Sequence, residues 1–238
     1  MNVSLLVTCL SDVLFPRIGV ATTRLLRRMG VRVSFPTGQT CCGQPQYNSG
    51  YHDDARNLAK HTIQTFERAE RVVVPSGSCA AMVKLEFPEL FKDEPSWHKR
   101  SLELASRTHE LSDYIVNVLG RDDVGARFPG RVTYHMSCHL RGLRLFNEPI
   151  RLLRNVRDLT LIDLERADEC CGFGGSFAVR YQDISGAMVR DKCRFIENAG
   201  VDAVVATDAG CLMNMGGYLR RERKAIKTLH LAEVLEAT

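Results

Sequence analysis

Short apolar runs alternate along the chain with longer stretches in which apolar residues recur every three or four positions. The short runs predict buried strands near residues 3–8, 31–35, 71–74, 131–136, 159–164 and 201–206. The longer stretches predict helices. The first of these carries Leu25, Leu26 and Met29 and stops at Gly30, and the others lie near residues 53–70, 149–156 and 183–198. Regular alternation of strand and helix favours largely parallel sheets.

The alternation stops between residues 86 and 130, which hold two proline-interrupted turns and a predicted helix near 101–119. We therefore interpret 86–130 as a helical connector between a first unit, 1–85, and a second unit, 131–238. A last strand or short helix near 229–235 is expected to pack on the second unit. A chain of 238 residues is long enough for such units to bury apolar cores.

Composition argues against several classes of protein. The chain is 45% hydrophobic and 25% charged, as ordinary globular proteins are, and its net charge of +4 comes from basic residues scattered along it. Nucleic-acid binding therefore has little support. No apolar run approaches the roughly 18 to 20 residues needed to cross a bilayer, so no transmembrane segment is expected. The first residues lack the pattern of a secretory signal, which predicts a cytoplasmic protein.

Eight of the nine cysteines form two sets with matching spacing. Each set has one cysteine, 31 intervening residues, a Cys-Cys-Gly sequence, and a last cysteine after a further 35 or 38 residues. The first three cysteines and the glycine are displaced by 129 residues between the copies, and the last cysteine by 132. The two sets are Cys9, Cys41, Cys42 and Cys79, and Cys138, Cys170, Cys171 and Cys211. The duplication predicts an α/β fold with two tandem Rossmann-like units related by pseudo-two-fold symmetry.

Each of these cysteines follows a predicted strand. Because parallel strands end at one edge of a sheet, where ligands collect, the four thiols of each set should meet there. In a reducing compartment such a pattern indicates a metal or iron–sulfur site more often than disulfides. Gly43 and Gly172, which have no Cβ, are expected to let the backbone approach the bound group closely. Cys193 has no counterpart in the first copy and lies in a helical pattern, so we expect it in the core.

The spacing resembles the signature of the cysteine-rich (CCG) domain family, which includes a component of heterodisulfide reductase and the iron–sulfur component of glycolate oxidase. The loops at residues 75–79 and 169–175 are most similar to the lactate-utilisation branch of that family. The resemblance implies an iron–sulfur subunit of a cytoplasmic oxidoreductase complex that oxidises L-lactate to pyruvate. It also implies partner subunits, one of which carries ferredoxin-type clusters, and a small 2-hydroxy acid as candidate substrate.

The chain departs from the heterodisulfide reductase branch at the end of each signature, because Met82 and Asn214 stand where that branch has a fifth cysteine. Four thiolates suit a [4Fe-4S] cluster or a tetrahedral zinc ion better than a five-thiolate assembly. We therefore expect one or two iron–sulfur clusters, with zinc as a candidate in one site. The eight cysteines of the two sets are the expected ligands.

Two other functions fit the same residues. A scaffold or binding protein could use both sites for structural zinc, which is redox-inert. Alternatively, the adjacent cysteines could act in thiol–disulfide or heterodisulfide exchange. His139 and Arg141 are weak candidates for orienting a carboxylate substrate or a cluster sulfur, His135 is interpreted as a strand residue, and Ser76 and Asp208 as helix caps. No dinucleotide-binding glycine motif is present, so a nicotinamide or flavin acceptor is not visible in the chain.

Overall fold

The chain forms two four-stranded sheets in which every strand runs parallel to its neighbours, in a computed structural model that describes residues 1–238. The first sheet has the order β2-β1-β3-β4. Its strands are β1 (Asn2–Leu5), β2 (Arg32–Ser34), β3 (Val72–Val74) and β4 (Thr108–Glu110). Its helices are α1 (Cys9–Leu14), α2 (Pro16–Arg28), α3 (Gln44–Asn48), α4 (His52–Thr65), α5 (Gly77–Ala81), α6 (Phe87–Leu90), α7 (Pro95–Ser106) and α8 (Leu111–Asp113).

The second sheet has the order β6-β5-β7-β8, which is the first order repeated. Its strands are β5 (Arg127–Tyr134), β6 (Arg157–Ile162), β7 (Ala203–Ala206) and β8 (Lys227–His230). Its helices are α9 (Cys138–Gly142), α10 (Glu148–Arg154), α11 (Phe177–Arg180), α12 (Gln182–Asn198), α13 (Ala209–Arg221) and α14 (Leu231–Glu236). The repeated order confirms the predicted pair of parallel α/β units.

The prediction of a single helix over residues 101–119 is wrong. The chain leaves α7 at Ser106, adds β4 beside β3, and re-enters helix at Leu111. The last stretch, Tyr114–Val118, is a π-helical turn. Helical periodicity fails here because a three-residue strand between two helices carries too short an apolar signal to be recognised. The segment interpreted as a connector therefore contains the fourth strand of the first sheet.

The end of the chain holds both a strand and a helix, β8 and α14. Thr228 and Leu231 correspond to Thr108 and Leu111 of the first copy with a displacement of 120 residues, against 129 at the first cysteines. The duplication therefore extends to the fourth strand of each sheet.

One apolar core joins the two units. It contains 26 buried residues from both copies, among them Leu25 and Leu26 of α2 and Val234 and Leu235 of α14. At the edge of this contact, the Arg28 guanidinium donates to the carbonyls of Leu235 and Glu236, at 2.5 Å and 2.8 Å. Because apolar burial is the main favourable term in folding, the shared core holds the two sheets in a fixed relation. None of the helices has the length and apolar character to cross a membrane.

Candidate metal centre

All eight paired cysteines line a single cavity of about 300 Å³ between the two units. Cys9 and Cys138 begin the helices that follow β1 and β5, and Cys79 and Cys211 lie in the first turn of the helices that follow β3 and β7. The Cys-Cys pairs lie in the loops after β2 and β6. The carboxyl ends of six parallel strands thus deliver residues from distant parts of the chain to one place, as strand topology predicts.

The first four thiols form a row in the order Cys9, Cys41, Cys42, Cys79. The Sγ atoms of Cys42 and Cys79 are 3.2 Å apart, and both residues are buried. Cys41 lies next to Cys9 and Cys42, whose thiols lower its pKa. Cys42 and Cys79, which are in direct contact, are positioned to bind a common group once they lose their protons.

The second four thiols repeat this row. Cys170 lies next to Cys138 and Cys171, whose thiols lower its pKa. The sulfurs of Cys171 and Cys211 lie within 4.8 Å of each other. Cys171 is buried, whereas Cys138 and Cys170 are exposed, so one end of this row is open to solvent.

Each row contains one thiol that ionises much more readily than its neighbours. Hydrogen bonds from Cys42 and Cys9 lower the pKa of Cys41, and those from Cys138 and Cys171 lower the pKa of Cys170. The same contacts, with burial, raise the pKa of Cys42 and Cys171 above the ordinary thiol value. A thiolate flanked by thiols that cannot ionise without a nearby cation suits a metal or an iron–sulfur cluster, whose charge lets all four thiols deprotonate.

The two glycines of the Cys-Cys-Gly loops have left-handed backbones and pack closely on a neighbouring helix. Gly43 has φ +87° and Gly172 has φ +80°, and their N–H groups donate to the sulfurs of Cys41 and Cys170 at 3.4 Å and 3.3 Å. Their nearest neighbours belong to the following helices α4 and α12. A Cβ on Gly172 would lie 2.8 Å from the carbonyl oxygen of Ser185. The missing Cβ thus allows a close approach to a helix.

Gly172→Ala is expected to destabilise the protein more than Gly43→Ala. A left-handed backbone costs alanine about 1–2 kcal/mol in both variants. At Gly172 the added Cβ also clashes with backbone, whereas at Gly43 the nearest atom is Leu58 Cβ at 3.3 Å. Urea denaturation of the two variants under identical conditions measures the difference, and equal losses of unfolding free energy would contradict the close approach at Gly172.

The two weak catalytic candidates lie in different places. His139 lines the cavity, with Nδ1 3.5 Å from the Cys138 sulfur and Nε2 2.9 Å from Gln44 Nε2 of the first unit. Arg141 is not among the residues that line the cavity, and its guanidinium lies 3.6 Å from the Asp168 carboxylate. His139 can therefore contact a molecule in the cavity from a position that bridges both units.

The two residues that stand in place of a fifth cysteine make structural contacts. Met82 is fully buried in the apolar core of the first unit. Asn214 Nδ2 donates to the carbonyl of Cys171 at 2.8 Å, which braces the second Cys-Cys-Gly loop. Cys193 is fully buried in the core of the second unit and does not line the cavity.

Ser76 caps α5 as expected, since its Oγ accepts from the Cys79 N–H at 3.3 Å, but Asp208 does not cap α13. The Asp208 carboxylate instead crosses to the other unit, where Oδ1 accepts from the Ser76 hydroxyl at 2.8 Å and the Ser78 N–H at 2.9 Å. Positions 76 and 208 differ by 132 residues, the displacement of the last cysteines. This bond therefore joins equivalent positions and lies at the pseudo-two-fold axis.

His135 lies at the end of β5, where its N–H continues the pairing with β7 by donating to the Val205 carbonyl at 2.8 Å. The strand β5 ends at Tyr134, and His135 follows it with 1% exposure. Burial lowers the pKa of His135 to about 3, so the ring is neutral at neutral pH. The duplication marks this histidine as unusual, because the equivalent residue of the first copy is the apolar Leu6.

Comparisons with known proteins agree with the duplicated architecture. The model of the CCG cysteine-rich domain matches the chain twice, over residues 3–84 and 132–216. Among solved structures, a hypothetical protein from Helicobacter pylori has a TM-score of 0.67 at 10% sequence identity. The match covers 98% of this chain and 48% of that one, and it concerns the fold alone.

Full-length relatives give a closer assignment. Lactate utilization protein A of Shouchella clausii is 50% identical over 238 residues, which cover 100% of this chain and 99% of the relative. Lactate utilization protein A of Geobacillus sp. (strain WCH70) is 49% identical over 238 residues, which cover 100% of this chain and 100% of the relative. The chain therefore belongs to the CCG cysteine-rich domain family and, within it, to the family of lactate utilization protein A.

Proposed function

We propose that this protein is an iron–sulfur subunit of a cytoplasmic complex that oxidises L-lactate to pyruvate. The observation that carries the proposal is the pair of four-thiol rows on one cavity, because soft thiolate donors in groups of four suit iron–sulfur clusters. The names of the full-length relatives support the assignment to lactate utilisation. The ligands in this proposal are the eight paired cysteines, four to each unit.

A bound cluster would accept and donate single electrons. The protein's own residues would hold it and control its surroundings. The N–H groups of Gly43 and Gly172 point at Cys41 and Cys170, and hydrogen bonds to ligand sulfurs raise the potential of a cluster by stabilising negative charge. Cys42 and Cys171 are buried, so water has little access to these two sulfurs.

Oxidation of lactate to pyruvate releases two electrons and two protons. In the proposal, partner subunits complete the path of the two electrons, and one of them carries ferredoxin-type clusters. His139 and Gln44 are polar groups from opposite units that meet at the cavity without a carboxylate between them, and we propose them as the point at which a small carboxylate would contact this chain.

The experiment begins with anaerobic purification after growth with ample iron, followed by analysis of iron, acid-labile sulfide and zinc. Iron and sulfide are expected in both units, and lactate is expected to reduce the protein when the partner subunits are present. Cys193→Ser is the matched control, because this cysteine is buried outside the cavity and its loss should leave the iron content unchanged. Zinc in both sites would overturn the proposal in favour of a scaffold.

A thiol–disulfide function is the second candidate, and the lowered pKa of Cys41 and Cys170 favours it because thiolates are the attacking species in exchange. It predicts that metal-free protein catalyses reduction of a disulfide by a dithiol. Metal-free protein that is inactive in this assay, alongside iron-loaded protein that is reduced by lactate, would exclude it.

A further inference from the structure

His135 is a buried polar side chain without a partner. Its exposure is 1%, and neither Nδ1 nor Nε2 makes a hydrogen bond. Buried polar atoms in folded proteins are almost always satisfied, so each exception needs an explanation, and a bound ion or cofactor is one of them. The ring nitrogens are thus free to bind a group beside them, although His135 does not itself line the cavity.

The neighbours of His135 indicate what kind of group that is. One of its ring nitrogens and the sulfurs of Cys171 and Cys211 all lie within 4.8 Å of one another. Histidine nitrogen and cysteine sulfur are the donors that zinc and iron sites combine, including iron–sulfur clusters in which histidine replaces cysteine. Three such donors converging from the end of β5, the Cys-Cys-Gly loop and α13 form part of a ligand shell.

The first unit provides an internal comparison. Leu6, the equivalent of His135, packs in the same apolar core as Cys42 and Cys79, which are the equivalents of Cys171 and Cys211. The duplicated fold therefore accepts an apolar residue at this position without loss of the surrounding structure. A histidine with two unpaired nitrogens in the second copy is not required by packing.

We propose that His135 is a nitrogen ligand of the metal centre in the second unit, so that this centre has mixed nitrogen and sulfur ligation while the first has thiolates alone. The proposal rests on the metal binding of the proposed function. Asn214, which stands at the position of a fifth cysteine, is engaged with the Cys171 carbonyl. His135 would thus be a fifth donor in this copy, beside its four cysteines.

Pulsed electron paramagnetic resonance tests the ligation. The protein is labelled with ¹⁵N-histidine and carries Cys42→Ser, so that the second centre is observed alone. A strong nitrogen coupling, of the size found for a directly bonded imidazole, is expected to change with the isotope. It should disappear in His135→Leu, which copies the first unit, and persist in His139→Gln, which removes the other histidine beside this row.

Several outcomes would overturn the ligation by His135. These are a signal without histidine coupling of that strength, a coupling that survives His135→Leu, and one that disappears in His139→Gln. If His135→Leu does not fold, ligation by His135 is tested by the other two samples, in which the coupling should be present in the labelled parent and persist in His139→Gln. Iron and sulfide analysis of the same samples keeps the two hypotheses apart. Iron-loaded protein without the coupling contradicts only the ligation, whereas protein without iron contradicts the proposed function and the ligation with it.

Discussion

Replacing Cys42 by serine is expected to remove about half of the bound iron and sulfide, and Cys171→Ser is expected to remove the other half. Each of these sulfurs is buried and lies inside its row, next to Cys79 in one unit and Cys211 in the other. A serine oxygen is a harder and much less acidic donor than a thiol, so the row loses a ligand that it cannot replace. Metal analysis and the absorption spectrum measure the loss.

The duplication makes each variant the control for the other. Because the two rows lie on opposite units, the remaining centre should keep its spectroscopic signal in either variant. Both signals lost from a single replacement would mean that one shared centre occupies the cavity. Cys193→Ser, which changes a cysteine of the second core, is expected to retain both signals.

Asp208→Asn is expected to lower the free energy of unfolding by about 2–4 kcal/mol at pH 7, since two donors lose a charged acceptor in a buried place. Burial alone would raise the pKa of Asp208, but hydrogen bonds from neighbouring serines, including Ser76 and Ser78, hold it below the ordinary value of 3.8. A carboxyl whose pKa is lowered in the fold stabilises the protein at pH values above its pKa in the unfolded state. The difference in unfolding free energy between parent and variant should therefore narrow as the pH falls below 3.8.

Urea denaturation at a series of pH values measures this effect. Asp202→Asn is the matched control, because Asp202 Oδ2 also accepts from a backbone N–H, that of Arg131 at 2.8 Å, but at an exposed edge. It should cost about 1 kcal/mol or less. A loss of equal size in both variants, or one that does not depend on pH, would contradict the role of Asp208 between the units.

The regular parts of the fold were predictable from the chain. Apolar runs and helical spacing place β1, β3, β5, β7 and the helices α4 and α12 within a few residues of their observed bounds. The displacement of 129 residues between the cysteine sets gives the repetition of the sheet. These features are local or periodic, so a single sequence contains them.

Contacts between the two units were not predictable in the same way. The bonds from Ser76 to Asp208 and from Gln44 to His139 depend on how two folded surfaces meet, which no local pattern describes. The strand β4 is hard to predict for a different reason, because the displacement drops to 120 residues at Thr108 and Thr228, where the second copy is shorter. The unpaired imidazole of His135 beside Cys171 and Cys211 was missed, although its alignment with Leu6 exchanges an apolar residue for a polar one.

The bond between Ser76 and Asp208 has a consequence for the origin of the molecule. In a homodimer of one ancestral unit, the same residue would stand on both sides of the symmetry axis, and two facing carboxylates would repel each other. Joining two genes into one frees the copies to diverge, so that one side can supply a hydroxyl and the other a negative charge. A homodimer of identical chains cannot place different residues at equivalent positions, whereas the duplicated chain does so at Ser76 and Asp208 within one polypeptide.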